Sequence, residues 1–149
     1  MFEIGPGPGG LTRALFLEGA EKVIAIEKDS RAIQFLEHIV TATDGQLTLL
    51  EKDAMRQPIW KMGNAPRKIV ANLPYNIATA LLLRWLAHAN AFVSLTLMFQ
   101  KEVAERLVAQ PGEKAYGRLS ILTQWLCNAE LKFDAVSYTH LTLPTNGCV

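Results

Sequence analysis

Apolar positions along this chain follow two rhythms that take turns. Val23-Ile24-Ala25-Ile26 is an unbroken apolar run that stops at Glu27, Leu47 to Leu50 runs towards Asp53, and Lys68 to Ala71 runs towards Asn72. Continuous rather than alternating apolarity predicts strands buried on both faces, as in a parallel sheet. Met1 to Ile4 is a shorter run that enters a glycine cluster, Gly5-Pro6-Gly7-Pro8-Gly9-Gly10. Between the runs the spacing turns helical. Leu11, Ala14 and Leu15 share one face; Ile33, Leu36 and Val40 share another, behind a cap at Asp29 or Ser30; Ile77, Leu81 and Trp85 fall four apart. The second half keeps the pattern. Val93, Leu95, Leu97 and Phe99 alternate with Ser94, Thr96 and Met98, which predicts a fifth strand. Lys101 to Ala109 reads as a helix with Val103 and Leu107 inward and Lys101/Glu105 and Glu102/Arg106 paired outside. After a break at Gln110-Pro111-Gly112-Glu113, Leu119, Leu122 and Leu126 mark another helix. Glu130, Lys132 and Asp134 alternate with Leu131, Phe133 and Ala135, the signature of an edge strand with one wet face. Strand and helix alternate throughout, so the predicted class is a doubly wound α/β sheet.

Composition narrows the function classes. The chain has 149 residues, 50% hydrophobic and 19% charged, which excludes disorder and fits one domain of ordinary size. Its net charge is +1, and a split at Tyr75 leaves nine residues of each sign before it and six basic against five acidic after it. No basic tail or acidic block announces a partner, so any contact with nucleic acid is expected through a local patch. Cys127 and Cys148 are too few for a disulfide framework and lack a metal-binding spacing. No apolar run reaches the roughly 18 residues of a membrane span, and no leader pattern opens the chain. The expectation is a soluble cytoplasmic protein without metal.

The candidate chemistry lies at the ends of the predicted strands, where ligands of such sheets bind. Gly5, Gly7 and Gly10 satisfy G-x-G-x-x-G, a dinucleotide fingerprint whose glycines allow tight turning and close backbone approach. A purely structural turn would read the same way. Glu27 stands where a carboxylate accepts both hydroxyl protons of a ribose, unless it is a solvated loop charge. Asp53 could accept from an adenine amine or simply cap a turn. Asn72-Leu73-Pro74-Tyr75 puts a side-chain carbonyl, a backbone carbonyl and an aromatic face together at the mouth of a central strand. Alone it would be a strand-ending turn; here it follows three cofactor-type strand ends in order.

The segments Phe2-Glu3-Ile4-Gly5-Pro6-Gly7-Pro8-Gly9-Gly10-Leu11-Thr12, Ala25-Ile26-Glu27-Lys28-Asp29, Asp53-Ala54, Val70 to Ile77, Gln100 to Arg106 and Tyr116 to Ser120 resemble the ribosomal RNA adenine dimethyltransferases. The likeness covers roughly residues 1 to 136, and the last two segments are more similar to the small-subunit branch. It implies an incomplete Rossmann-like class I methyltransferase sheet that uses S-adenosyl-L-methionine. It also implies cofactor contacts from Glu3, Gly5, Gly7, Glu27, Lys28, Asp53, Ala54 and Asn72, and a catalytic segment of Asn72, Leu73, Pro74 and Tyr75. Asn72 and the Leu73–Pro74 backbone would accept hydrogen bonds from the target adenine's amine, and Tyr75 would stack on the base. The implied partner is the 3′-terminal hairpin of small-subunit ribosomal RNA, with two adjacent adenines dimethylated by a monomeric enzyme in the maturing subunit. The large-subunit antibiotic-resistance branch, a nicotinamide-dependent oxidoreductase and a non-catalytic RNA-binding relative are the alternatives.

The chain also departs from that family. A glutamine–asparagine–phenylalanine segment expected before the first strand is absent, and Ser137 to Pro144 does not match the family's Phe- and Pro-rich stretch. The expectation is a catalytic domain over 1–137, truncated at both ends, and a foreign tail over 138–149. His38, His88 and His140 are expected to be structural or solvated, and Trp60, Trp85 and Trp125 to pack. Lys61, Arg67, Lys68, Arg84, Lys114 and Arg118 are expected to form solvated faces.

Overall fold

A computed structural model describes residues 1–134. Five strands form one parallel sheet: β1 (Phe2–Ile4), β2 (Val23–Glu27), β3 (Leu47–Glu51), β4 (Lys68–Asn72) and β5 (Ser94–Met98). Their order is β3-β2-β1-β4-β5, so the winding direction reverses between β1 and β4. Helices α1 (Gly10–Leu17), α2 (Ser30–Ala42), α3 (Tyr75–Leu86), α4 (Lys101–Val108) and α5 (Arg118–Leu126) provide the crossovers and the C-terminal pair. Two short 3₁₀ turns, Ala54–Arg56 and Ile59–Lys61, carry the chain from β3 to β4.

The core has a layer on each face of the sheet. Phe2, Ile4, Ile26, Ile69 and Ala71 pack with Leu81 and Trp85 of α3. On the other face Val23, Ala25 and Leu47 meet Leu36 and Ile39 of α2. This two-sided burial is why Val23 to Ile26 of β2 read as an unbroken apolar run. β5 lies at the edge and is less covered: Leu95 and Leu97 are half-buried, while Ser94, Thr96 and Met98 are exposed.

Two helices bury faces that their spacing alone does not show, and one expected element is absent among the described residues. On α1 the fully buried residue is Thr12, which faces the sheet under the glycine loop, while Leu15 packs half-buried on the α2-side core and Ala14 is exposed. On α5 the buried face carries Ser120 and Thr123, whereas Leu122 and Leu126 remain 40% and 38% exposed. There α5 docks on the end of α4. Ser120 Oγ donates to the Arg106 carbonyl at 2.5 Å, and the Gln124 amide donates to the Leu107 and Ala109 carbonyls at 3.1 and 2.8 Å. These are carbonyls that a helix end leaves without internal partners, and polar side chains satisfy them where leucines could not. Finally, residues 130–134 form no strand. Alternation alone does not make a strand without a partner backbone, and local ion pairs use the charged positions instead: Lys132 with Glu130, and Lys101 with Asp134 at 2.7 Å. Lys101 thus reaches Asp134 as well as lying beside Glu105. Ala135 and the 138–149 tail, with the domain boundary at 137, lie outside the described residues.

Candidate active site

The register of the sheet gathers the candidate residues at one edge. Ile4 of β1 pairs with Ile26 of β2 and with Ala71 of β4, so the next residues along the three strands are Gly5, Glu27 and Asn72. Glu27 in turn pairs with Glu51 of β3, two residues before Asp53. All four strand ends therefore face the same side, with the glycine loop at the reversal point of the strand order.

The loop is shaped by glycine where other residues would fail. Gly7 has φ +53° and open space where a Cβ would stand, so its backbone can be approached closely from outside. Gly9, with φ +88°, serves packing instead: a Cβ there would lie 2.4 Å from Ile39 Cδ1 and 2.8 Å from Leu36 Cδ2. It opens α1 without a side-chain cap, leaving the first N–H groups of the helix directed at this edge.

Glu27 holds the loop in place. Its Oε2 accepts from the Gly7 N–H at 3.1 Å, and its Oε1 accepts from the Lys28 and Asp29 N–H groups at 2.7 and 2.9 Å. The charge is therefore neither idle nor simply solvated. Oε1 is saturated, while Oε2 keeps one lone pair for an external hydroxyl.

Asp53 does cap a turn, as its plain alternative expected. Its Oδ1 accepts from the Met55 N–H at 2.9 Å, and its Oδ2 is 3.1 Å from Lys28 Nζ. The Lys28 hydrogen bond, and then the Met55 N–H, hold its carboxyl below the ordinary range. Lys28 is largely exposed, and an exposed pair of this kind yields readily to another donor. Ala54 opens the 3₁₀ turn beside it.

Glu3 lies beneath the loop in the central strand. It is 0% exposed, and no well-formed hydrogen bond satisfies either carboxyl oxygen. Burial pushes its pKa up to about 6, and the neighbouring Thr12 hydroxyl draws it partly back. A buried acid without a cation is a group that awaits one. Thr12, itself buried, was not singled out from the sequence; its place three residues after Gly9 is the signal that marks it.

Asn72 ends β4 with its side chain exposed and, among the described residues, engaged in no hydrogen bond. Leu73 is buried and anchors the segment in the α3-side core. Pro74 caps α3 with φ −57°, its carbonyl accepting from Ile77 and Ala78 N–H, both at 3.1 Å. Tyr75 begins the helix 69% exposed, its ring available for stacking. Among the described residues no cluster of three metal-ligating side chains occurs, and no helix is long and apolar enough to cross a membrane.

A reversed parallel sheet, a glycine loop at its switch point and an acidic residue ending the next strand define the class of Rossmann-like proteins, in which the crevice at the switch point is the usual ligand site. Comparison with known proteins narrows the class. The model of the ribosomal RNA adenine dimethylase family matches residues 1–133. A ribosomal RNA small subunit methyltransferase A from Rhodospirillum rubrum is 56% identical over 134 residues, covering 90% of this chain and 46% of that protein. Among solved structures, a dimethyladenosine transferase from Plasmodium falciparum superposes with TM-score 0.70 at 36% identity, covering 83% of this chain and 43% of that one. The 23S rRNA methyltransferase ErmE superposes with TM-score 0.67 at 26% identity, covering 83% and 47%. This chain belongs to the ribosomal RNA adenine dimethylase family. It spans about half the length of the curated relatives it matches.

Proposed function

We propose that this protein transfers methyl groups from S-adenosyl-L-methionine to the exocyclic amines of two adjacent adenines in small-subunit ribosomal RNA, at its 3′-terminal hairpin. The observation that carries the reading is the juxtaposition of an uncommitted Asn72 amide and an exposed Tyr75 ring with the glycine loop, one strand away. The small-subunit relatives' higher identity, 56% against 26% for ErmE, favours that branch over the large-subunit one.

The residues present fit the cofactor. Open space over Gly7, the spare lone pair on Glu27 Oε2 and the orphaned carboxyl of Glu3 suit a ligand carrying both a ribose and a positive charge. When bound, S-adenosylmethionine supplies an electrophilic methyl group on a sulfonium. Glu27 would accept from a ribose hydroxyl with the spare lone pair on Oε2, and Asp53 would accept from the adenine amine in exchange for Lys28. Glu3 supplies the buried negative charge, and Lys28 and Ala54 border the nucleoside. Asn72 would contact both cofactor and target. Its side-chain oxygen and the Leu73–Pro74 backbone accept from the target adenine's amine, turning the nitrogen lone pair out of conjugation. Tyr75 stacks on the base so that this lone pair is aimed correctly, and orientation of this kind is the main service a protein gives to such a transfer. The test is calorimetric titration with S-adenosylmethionine and, separately, with NAD. Binding of the former and not the latter is expected; preference for NAD would return the glycine loop to the oxidoreductases.

A further inference from the structure

Residues 54–101 contain six lysines and arginines and not one carboxylate. Since the whole chain carries 15 basic and 14 acidic residues, the remainder holds nine against fourteen. The near-neutral total thus hides a local polarity: the 48 residues that form β4, β5, α3 and the turns that lead into them carry net charge +6, the other 101 residues −5. Two of the six cations, Arg56 and Lys101, follow the C-terminal ends of β3 and β5, on the side of Asn72. The other four belong to the opposite edge. Arg67 and Lys68 open β4, Lys61 ends the preceding 3₁₀ turn, and Arg84 lies in the last turn of α3, which runs back from Tyr75.

That opposite edge is organised. Trp60 stacks on His88 with ring centroids 4.0 Å apart and planes within 17°. The Arg84 guanidinium sits 5.0 Å from the Trp60 ring centroid, and its Nε is buried without a partner. Arg67 ties the loop down by donating to the Met62 and Gly63 carbonyls at 2.8 and 3.1 Å. Among the described residues none of Lys61, Arg67, Lys68 and Arg84 forms an ion pair, although exposed cations elsewhere on the chain do. An ordered aromatic platform that fixes one cation close to exposed lysines, within a stretch of chain that holds no carboxylate, suits a polyanion backbone.

We propose that the edge formed by Lys61, Lys68, Arg84 and the Trp60–His88 stack is a second RNA-contact surface, which grips phosphates of a ribosomal RNA helix other than the one that presents the target adenines. The proposal rests on the reading of this protein as an enzyme of ribosomal RNA. The separation of the two edges gives the surface its role. β4 spans five residues, about 17 Å at roughly 3.3 Å each, so the two edges lie at opposite ends of the strand and face away from each other. A folded RNA that offers several helices can meet both faces at once, whereas a rigid hairpin whose loop enters the site at Asn72 points away from the opposite edge. The surface therefore favours the assembled substrate over an isolated hairpin by linking two weak contacts.

The test compares the protein with its Lys61→Gln/Lys68→Gln variant in binding to two probes, full-length small-subunit ribosomal RNA and an isolated 3′-terminal hairpin, between 50 and 200 mM salt. Both lysines are exposed and make no internal ion pair, so the fold is not at stake. At about 0.9 per duplex phosphate contact, the variant's slope of log affinity against log salt on the long RNA should be shallower by about 1.8. The parent's advantage should then grow about twelvefold between the two salt concentrations as salt is lowered. Hairpin binding should be unchanged, and Lys61→Arg/Lys68→Arg should restore the parent slope. An Arg31→Gln/Lys132→Gln control, with the same charge change in the net-acidic remainder of the chain, should have no comparable effect. An unchanged slope on the long RNA, an equal loss on the hairpin, or an equal loss in the control would overturn the proposal while leaving the enzymatic reading intact. A ribosomal protein whose binding alone responds to the lysine pair would overturn it in favour of a protein partner. If the parent binds neither RNA, the enzymatic reading itself fails, and the surface with it.

Discussion

Replacement of Glu3 by glutamine should make the unliganded protein's stability less dependent on pH. In the fold the carboxyl has a pKa of about 6 against an ordinary 4.5, because burial disfavours its charged form. The folded state therefore binds the proton more tightly than the unfolded chain does. Stability from this group is complete below about pH 4.5 and is lost as pH rises through about 6. At 1.36 kcal/mol per pH unit, the gap corresponds to about 2 kcal/mol, an appreciable share of a typical domain's stability. Glutamine has nearly the same shape and cannot ionise. Its own buried amide also goes partly unsatisfied, so the absolute stability of the variant decides nothing. The informative quantity is the difference between parent and variant as a function of pH. Urea unfolding from pH 4 to pH 8 should show the parent losing about 2 kcal/mol relative to Glu3→Gln, mostly between pH 4.5 and 6.5. Cofactor affinity should move the opposite way at pH 8, because the variant lacks the negative charge that a cationic ligand would meet. A difference flat to within about 0.5 kcal/mol across this range would refute the assignment of a strained, ionised Glu3 at neutral pH.

Further outcomes follow from the same site. Glu27→Ala removes the acceptor for the ribose and the tie to Gly7, and should weaken S-adenosylmethionine binding by about one to two decades in calorimetry, or about 1.5–3 kcal/mol; equal affinities would remove Glu27 from the site. Asn72→Ala should lower the methylation rate by about 100-fold with little change in RNA affinity, since it acts by orienting the amine; an RNA-binding loss as large as the rate loss would contradict that role. Tyr75→Phe should be mild and Tyr75→Ala severe in single-turnover assays, because the exposed ring face is what stacks. Gly9→Ala should destabilise the fold by about 1–3 kcal/mol in chemical denaturation, from positive φ together with contact on Ile39 and Leu36; unchanged stability would show that α2 can give way there.

The parts of this molecule that were legible in the sequence are those fixed by local periodicity. β2 and β4 carry continuous apolar runs, Val23 to Ile26 and Ile69 to Ala71, because both faces of an inner parallel strand are covered; β3 lies at the sheet edge and Thr48 interrupts its run, yet the ends of all three strands lead to Glu27, Asp53 and Asn72. What remained hidden depends on partners distant in sequence. That Glu27 closes on Gly7, twenty residues away, is a tertiary fact, as is the isolation of Glu3. The leucines of α5 do not mark its buried face, because periodicity shows which residues share a face, not which face is buried, and the carbonyls at the end of α4 select Ser120 and Gln124. Residues 130–134 misled, since alternation cannot supply a neighbouring strand. The charge polarity is written in the sequence, yet a division at Tyr75 cuts the carboxylate-free stretch in two and averages it away. Only the placement of β4, β5 and α3 on one side of the sheet shows that the stretch is a surface.

The central claim is that this site methylates adenine in small-subunit ribosomal RNA. The most direct measurement is incubation of the protein with methyl-labelled S-adenosylmethionine and ribosomal particles, followed by nuclease digestion and mass analysis of each subunit's RNA. Label in N6,N6-dimethyladenosine, confined to two adjacent adenines of the small-subunit RNA and incorporated about 100-fold more slowly by Asn72→Ala, is the predicted result. Label in large-subunit RNA, or transfer that persists undiminished in Asn72→Ala, would contradict the account.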